Sequence, residues 1–223
     1  MTGRKKLGSF WFPAEESHFT LCRNVDDYQR PQRDFALRLV TDRSLCIDVG
    51  AHVGIFSRHF ANHFDRVLAF EPIENIRDLL RDNVPENVSI DSRAVSDFSG
   101  KVKLLQLSTT NSGCSYVVSD DRVFRPREPI GGDTVVEADV VRIDDLGIDR
   151  VGLIKVDVQG CDHLVLRGAR ETIYSCKPVV MVEEKPVGGP TGPTDHIDDT
   201  RSLMKDLGYK NSQRVGAERI YWP

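Results

Sequence analysis

The hydrophobic pattern of the chain alternates between short apolar runs and longer stretches in which apolar residues recur at helical spacing. The short runs have the length of buried strands. Strands that alternate with helices in this way are typical of a parallel sheet covered by helices on both faces. The predicted core strands are Leu45–Val49, Val67–Phe70, Val88–Ile90, Val151–Val158 and Pro178–Lys185, and the predicted helices are Arg33–Val40, Ile55–Phe60, Glu74–Arg81, Gly160–Ala169 and Asp195–Leu207.

Four further segments predict additional β-structure outside the parallel core. Val102–Leu107 and Val135–Ile143 lie between the third and fourth core strands, while Tyr209–Asn211 and Arg219–Tyr221 predict an antiparallel edge hairpin. The pattern therefore predicts one α/β domain with a mostly parallel sheet and helices on both faces. We expect residues 1–43 to form an N-terminal arm and a leading helix, and residues 44–223 to form the α/β domain itself.

A glycine-rich turn follows the first core strand and has the spacing D-x-G-x-x-x-G, from Asp48 through Gly50 to Gly54. The dinucleotide fingerprint G-x-G-x-x-G would require glycine at positions 52 and 55, so the pattern disfavours a nicotinamide cofactor. An acid close to the turn suits a cationic ligand better than a pyrophosphate, because like charges repel. The alternative interpretation is a glycine turn that only connects two elements.

A second acid, Glu71, ends the next predicted strand. An acid at this position in a nucleotide-binding α/β fold is placed to hydrogen-bond both hydroxyls of an adenosine ribose. A single glutamate at a strand end is often only a solvated cap. Because Glu71 lies at the end of the strand that follows the glycine turn, the ligand-binding interpretation is favoured.

Four ordered motifs now support a resemblance: DVGAHVG, AFEP, IKVDVQG and VVMVEEKP. At these separations the chain resembles the FkbM family of S-adenosylmethionine-dependent methyltransferases, over about Leu45 to Lys185. The N-terminal segment resembles that of phage-encoded members of the family. Two positions depart from the common pattern, since His52 stands where Asn is frequent and Gln159 where Glu is frequent.

The resemblance implies a class I methyltransferase fold with a seven-stranded, Rossmann-like sheet. It also implies S-adenosylmethionine as cofactor and a hydroxyl oxygen, on a small molecule or a sugar, as methyl acceptor. Strand alternation places Lys155 and Asp157 on one face, with Asp157 nearer the carboxyl end where cofactor and acceptor meet. We expect Asp157 to hold the cofactor's ammonium group or take the acceptor's proton, and Lys155 to neutralise Asp157. The expected cofactor contacts are Asp48, Gly50, Ala51, His52, Gly54, Glu71, Pro72, Ile73, Ala94 and Asp157, and the expected catalytic residues are Asp157, Lys155 and Glu183.

Other polar residues extend the candidate site. Tyr28 and Gln29 are candidate contacts at the methionine end of the cofactor, although ordinary packing also explains them. Asp157 with Glu183 or Glu184 provides oxygen ligands that suit Mg²⁺, but the interpretation we keep is a site without metal. The irregular segment 108–133 contains Asn111, Gly113 and Ser115 and the arginines Arg122, Arg125 and Arg127, which form either a solvated loop or a clamp for an anionic or sugar-like substrate.

Composition narrows the functional classes. The formal net charge of −4 over 223 residues gives no overall footprint for nucleic acid, although a local patch and a nucleotide or nucleic-acid acceptor stay open. The five cysteines form no C-x-x-C motif, and no signal peptide or membrane span is evident, so we expect reduced thiols, a cytoplasmic location and no membrane partner. The rival hypotheses are a nucleotide-dependent oxidoreductase and a degenerate methyltransferase fold that binds without catalysis.

Overall fold

A computed structural model describes residues 3–107, 112–113, 115–118, 132–186 and 194–223. The strands are β1 (Arg4–Leu7), β2 (Phe10–Pro13), β3 (Leu45–Val49), β4 (Arg66–Phe70), β5 (Val88–Asp91), β6 (Ala94–Val95), β7 (Gly100–Gln106), β8 (Ser115–Val117), β9 (Thr134–Val141), β10 (Leu153–Val156), β11 (Val179–Glu183), β12 (Asn211–Val215) and β13 (Glu218–Trp222). The α-helices are α1 (Arg30–Leu39), α2 (Ile55–Ala61), α3 (Glu74–Asn83), α4 (Asp162–Arg167), α5 (Arg170–Cys176) and α6 (Asp195–Asp206).

The central sheet has seven strands in the order β12-β13-β11-β10-β3-β4-β5. The five strands from β11 to β5 are parallel, whereas β13 pairs antiparallel with both β11 and β12. Chain order reverses between β3 and β10, which makes this the topological switch point where ligands bind in open α/β sheets. The predicted seven-stranded sheet with an antiparallel edge hairpin is therefore confirmed.

Apolar side chains cover both faces of this sheet. One core contains residues of α4, α5 and α6, including Leu166, Ile173 and Met204, against Ile154 and Val180. The other core contains residues of α1, α2 and α3, such as Ala36, Phe60 and Leu80. Because both faces are buried, the core strands lack the clean polar alternation of a half-exposed sheet.

A second sheet of four strands, in the order β6-β9-β7-β8, lies in the chain between β5 and β10. Its apolar face shares a third core with the N-terminal arm, where Phe10, Phe12 and Phe19 pack with Leu104 and Val140. The arm itself begins with the antiparallel hairpin β1–β2, which the sequence pattern did not predict. Asn83 anchors this hairpin, because its side chain bonds both the N–H and the carbonyl of Trp11.

Three predicted elements differ from the structure. The strand expected over Tyr209–Asn211 begins only at Asn211, as β12, because the N–H of Tyr209 still donates to the Met204 carbonyl at the end of α6. The helix expected over 160–169 ends at Arg167, and α5 follows as a separate helix. The break lies at Gly168, where a β-carbon would come within 1.9 Å of the Ser96 carbonyl oxygen, so the helix passes too close to the second sheet for a larger residue. The strand expected over 135–143 stops at Val141, and Ile143 begins a single helical turn, Ile143–Leu146. Within the described residues, no helix is both long and apolar enough to cross a bilayer.

Candidate active site

A cavity of about 370 Å³ opens at the carboxyl ends of the central parallel strands. Along this edge of the sheet, Glu183 ends β11, Asp157 follows β10, Gly50 follows β3 and Glu71 follows β4. Strands in a sheet lie about 4.8 Å apart, so these four positions span roughly 14 Å. All four line the cavity, which therefore presents an elongated site with a different group at each strand end.

Gly50 has a positive φ of 76° and lies against the next strand rather than in open space. A β-carbon at this position would come within 2.0 Å of the Asp157 carbonyl oxygen. The N–H groups of Gly50 and Ala51 both donate to the carbonyl oxygen of Phe70. Gly50 and Ala51 line the cavity, but the close approach that requires glycine at position 50 is to the backbone of this chain.

Gly54 is not among the residues that line the cavity. It begins α2 with φ 92°, and a β-carbon there would lie 2.6 Å from Leu80 and 2.8 Å from Val84. The second glycine of the motif therefore allows α2 to pack against α3. The structure gives Gly54 this packing role, and its contact with the cofactor stays a prediction.

Asp48 is also placed differently from the prediction. Its side chain is fully buried, and it does not line the cavity. Its Oδ2 accepts a hydrogen bond from Ser57 at 2.6 Å, and its Oδ1 lies 3.1 Å from the ammonium nitrogen of Lys155. Asp48 is thus neutralised from within the protein and does not meet a ligand's ammonium group.

Lys155 lines the cavity, but its ion pair is with Asp48 and not with Asp157. Its Nζ also donates to the carbonyl oxygen of Gly50 at 2.9 Å and lies over the Phe56 ring. Burial alone would lower the pKa of Lys155, but the charges of Asp48 and Asp157 outweigh burial and raise it, so the ammonium stays charged. The predicted role of neutralising Asp157 is corrected to one of holding Asp48 and the glycine turn.

Glu71 lies buried at the other end of the strand edge. Its Oε2 accepts the N–H of His52 at 3.0 Å, and its Oε1 accepts the N–H of Ile73 at 2.9 Å. Burial raises the pKa of Glu71 to about 7. A carboxylate has about four acceptor positions. Each oxygen of Glu71 therefore retains capacity for a further donor from a ligand in the cavity.

The wall beside Glu71 is largely apolar. Pro72, Ile73 and Ala94 line the cavity there, as predicted. Arg93 also lines it, with its guanidinium paired to Asp91 at 2.6 Å. This combination of an apolar slot and an acid that accepts two hydrogen bonds suits the flat base and ribose of a nucleoside.

The opposite end contains two carboxyl groups, Asp157 and Glu183, with the amide of Gln159 between them. The Gln159 Nε2 donates to Asp157 Oδ1 at 3.1 Å and lies 3.5 Å from Glu183 Oε2. Gln159 adopts φ 55°, a left-handed conformation that costs free energy in a residue other than glycine. Such strain is typical of functional sites.

Two further side chains complete this end. Lys185 lies 2.5 Å from Glu183 Oε1, and Tyr28 lines the cavity together with Gln29. Burial and the charge of Asp157 raise the pKa of Glu183, although Lys185 opposes them. Burial and the same Asp157 charge raise the pKa of Tyr28 to about 12. The end of the cavity is therefore rich in carboxyl groups that can accept a proton or hold a cation.

Glu184 points away from the cavity. Arg201 holds both of its oxygens, at 3.0 and 2.9 Å, and Arg219 adds a third contact at 2.8 Å. Burial would raise its pKa, but these arginines outweigh burial and lower it. Glu184 is therefore a structural acid and is removed from the alternative Mg²⁺ set. In the described part of the chain, no three His, Cys, Asp or Glu side chains are arranged to hold a metal ion.

Sequence patterns missed several residues of the site. His18 and Phe19 of the N-terminal arm line the cavity, as does Ser112. Glu218, in the edge hairpin, does not line the cavity, but it is 1% exposed and its Oε2 has no hydrogen-bond partner among the described residues. Burial and the charge of Asp157 raise its pKa.

Several predicted residues do not reach the site or cannot be placed in it. His163 has an imidazole that could act as a general base, but it lies on α4 and does not line the cavity. Ser115 and Gly113 of the predicted irregular segment do line it. Asn111 and the arginines Arg122, Arg125 and Arg127 lie outside the described residues.

The sheet order, the switch-point cavity and the acids along it define a class I methyltransferase fold. Residues 48–210 match the family described as the methyltransferase FkbM domain. The chain belongs to this family of methyltransferases, and the predicted resemblance to the FkbM family is confirmed, while the resemblance to phage-encoded members stays a prediction.

Individual relatives agree with this assignment. Methyltransferase sdnD of Sordaria araneosa is 26% identical over 215 residues, which cover 79% of this chain and 76% of that protein. The crystal structure of the FkbM methyltransferase from Methylobacillus flagellatus KT superposes with a TM-score of 0.54 at 16% identity over 89% of this chain. This chain spans about half of that protein, 52% of its length. A Clostridium thermocellum protein described as an rRNA methylase superposes with a TM-score of 0.50 at 12% identity, over 86% of this chain and 92% of its own. The two structures show a shared fold.

Proposed function

We propose that this methyltransferase uses S-adenosylmethionine and methylates a hydroxyl oxygen on a small molecule or a sugar. The observation that supports it most is the division of one cavity into a nucleoside-like end at Glu71 and a carboxyl-rich end at Asp157 and Glu183. S-adenosylmethionine would supply an electrophilic methyl group on a positively charged sulfur. Its adenosine and its methionine ammonium match the two ends in polarity and charge.

The residues at the first end bind and orient. Glu71 accepts both ribose hydroxyls with the acceptor positions that the backbone donors leave open, and the wall of Ile73 and Ala94 contacts the adenine. Asp48 and Lys155 hold the glycine turn from behind, so that Gly50 and Ala51 present their backbone to the ligand. These contacts fix the position of the cofactor, which is most of what a direct displacement needs from the protein.

The residues at the second end handle charge and protons. A hydroxyl acceptor must lose one proton as its oxygen takes the methyl group, so a carboxylate within reach is required as general base. Asp157 is the carboxylate we assign to this role or to binding the ammonium group, and Gln159 fixes its orientation through the 3.1 Å hydrogen bond. Glu183 lies beside it with a raised pKa, so it serves as a second base only at a pH where it has lost its own proton.

Two experiments, performed one after the other, test cofactor binding and methyl transfer. Calorimetry with S-adenosylhomocysteine must show binding, and absence of binding would overturn the proposal. Methyl-labelled S-adenosylmethionine is then incubated with sugars, hydroxylated small molecules, nucleotides, RNA and a cell lysate. Labelled product from a hydroxyl compound supports the proposed acceptor class, whereas label in RNA or a nucleotide replaces it. Binding without transfer to any acceptor would favour the catalytically degenerate alternative.

A further inference from the structure

Glu16 is a buried acid in the N-terminal arm, far from the family motifs in sequence. Its side chain is 1% exposed. Three donors contact it: the N–H of Phe19 at 3.1 Å, the N–H of Ser112 at 2.8 Å and the hydroxyl of Ser112 at 2.5 Å. Burial would raise the pKa of Glu16, but these hydrogen bonds outweigh burial and lower it. A fully buried, ionised carboxylate with this number of donors holds its partners strongly.

The contact continues from Ser112 to the cofactor turn. Because the ionised Glu16 can only accept, the Ser112 hydroxyl donates to it. The Ser112 oxygen then accepts the Nε2–H of His52 at 2.8 Å. Burial lowers the pKa of His52 to about 4, so its ring is neutral and the hydrogen bond fixes the Nε2–H tautomer. Nδ1 is left as an acceptor on a residue that lines the cavity.

His52 also contacts Glu71 directly. The backbone N–H of His52 donates to Glu71 Oε2, the oxygen assigned above to a ribose hydroxyl. His52 also adopts φ 52°, a conformation that persists only where surrounding contacts enforce it. A continuous chain of hydrogen bonds therefore runs from Glu16 through Ser112 and His52 to Glu71.

A second contact links the same residues. The ring of Phe19 stacks on the ring of His52 with centroids 5.8 Å apart and 19° between planes. Since Glu16 also accepts the Phe19 N–H, it holds both the hydrogen-bonded and the stacked neighbour of His52. At its other end, the arm is attached to the glycine turn by Asn83, which bonds Trp11 and the carbonyl of Val53.

We propose that the N-terminal arm is part of the cofactor site and that Glu16 is a positioning residue, which acts through Ser112 and His52 on Glu71. The arm lies outside the matched family region of residues 48–210, so this wall of the site is a feature of this chain's own N-terminal segment. The inference rests on the proposed function for the identity of the ligand. The coupling between Glu16 and His52 is independent of that identity.

Hydrogen exchange of the full chain without ligand tests the coupling. In Glu16→Gln, the amides of Ser112, Phe19 and His52 should exchange about tenfold faster or more than in the unmutated protein. Ser112→Ala should accelerate His52 but not Phe19, because the Phe19–Glu16 bond is intact. Glu15→Gln removes the same charge at an exposed neighbouring position and is the matched control, with no change expected. Melting temperatures of all variants show whether they are folded.

Calorimetry with S-adenosylhomocysteine tests the consequence for the site. Glu16→Gln and Ser112→Ala should each weaken binding about tenfold, whereas Glu15→Gln should change it by less than twofold. The double variant Glu16→Gln/Ser112→Ala should bind no more weakly than the weaker single variant, because both act on one path.

Two results would overturn the inference. The first is that Glu16→Gln shows the same amide exchange rates and the same affinity as Glu15→Gln. The second is that the double variant loses as much binding free energy as the two single variants together. A protein that binds no S-adenosylhomocysteine yet shows the exchange pattern would contradict the proposed function and still support the coupling of the arm to the cavity. Unchanged exchange overturns the coupling whatever the ligand does.

Discussion

The carboxyl edge of the central sheet contains acids of two kinds. Asp48 and Glu184 are surrounded by cations and donors from the protein: Lys155 and Ser57 in the first case, arginines in the second. Asp157 and Glu183 face the cavity. The first pair holds the scaffold together, and the second has acceptor capacity left for a ligand.

Glu183 and Glu184 make the contrast sharpest, because they are neighbours in the chain. Successive side chains at a strand end point to opposite sides. Glu183 therefore meets the cavity, where burial and the charge of Asp157 raise its pKa, and Glu184 meets Arg201 and Arg219, which outweigh burial and lower its pKa. Glu183 has one cation, Lys185, and faces the cavity, whereas two arginines occupy Glu184 and hold it away from the cavity.

The largest expected effect is on the scaffold pair. Asp48→Asn would leave the Lys155 ammonium buried without its counter-charge, and breaking such a pair costs about 3–5 kcal/mol of unfolding free energy. Denaturant unfolding at equilibrium measures this loss. The double variant Asp48→Asn/Lys155→Met should lose less than the sum of the two single variants, because the charges are coupled. A loss below about 1 kcal/mol for Asp48→Asn would contradict the distinction between the two kinds of acid.

Asp157→Asn should give the opposite result. The substitution is nearly isosteric and leaves no buried charge without its ion-pair partner, so the unfolding free energy should change by about 1 kcal/mol or less. Methyl transfer should fall by roughly 10² or more if Asp157 is the general base. Transfer of labelled methyl to the acceptor found in the screen measures the rate. Near-normal turnover with a large loss of stability would place Asp157 among the scaffold acids.

Local patterns were sufficient to predict most of the fold. The core strands and the glycine turn follow from apolar runs and from the spacing of Gly50 and Gly54, which depend on residues close in sequence. The positions of Glu71, Asp157 and Glu183 at strand ends follow from the same runs. What these patterns do not contain is the environment of each acid once the strands are adjacent.

The missed features all depend on contacts between distant segments. Glu16 and Ser112 are 96 residues apart, and Lys155 bonds the Gly50 carbonyl across 105 residues. The hairpin of the arm is fixed by Asn83 and not by its own periodicity. Glu218 lies in a short edge strand, where alternation alone does not tell a buried position from an exposed one. The pairing of Asp48 with Lys155 also joins segments that are distant in sequence, so local patterns did not predict it.

A smaller effect is expected at the nucleoside end. At pH 8, Glu71→Gln should weaken binding of S-adenosylhomocysteine about tenfold. The substitution replaces two charged carboxylate oxygens, both of which accept hydrogen bonds, by one neutral amide oxygen. In the unmutated protein, affinity should decline as pH falls below about 7, where Glu71 gains a proton. The variant should show a flatter profile over the same range, and calorimetry at several pH values measures both. A decline that is equally steep in Glu71→Gln would assign the titration to another group.

The smallest effect separates the two kinds of acid by stability alone. A carboxyl group whose pKa is higher in the folded than in the unfolded chain keeps its proton longer when folded, so stability falls as pH rises through that interval. Glu183 and Glu218 both have raised pKa values, so each should lower the unfolding free energy as the pH rises from 7 to 9. The lowered pKa values of His52 and His59 act the opposite way, but mainly below pH 7, where the unfolded chain takes up their protons.

Matched variants of the two neighbouring glutamates decide this prediction. Glu183→Gln should flatten the dependence of unfolding free energy on pH between 7 and 9, because one raised carboxyl is removed. Glu184→Gln should lower stability at every pH in that range by a similar amount and leave the slope unchanged, because its pKa is lowered and it stays ionised throughout. Denaturant unfolding at pH 7, 8 and 9 gives the slope of unfolding free energy against pH for the unmutated protein and for each of the two variants. If both variants retained the slope of the unmutated protein, Glu183 would be as fully neutralised as Glu184, and the proton acceptor of the cavity would be Asp157 alone.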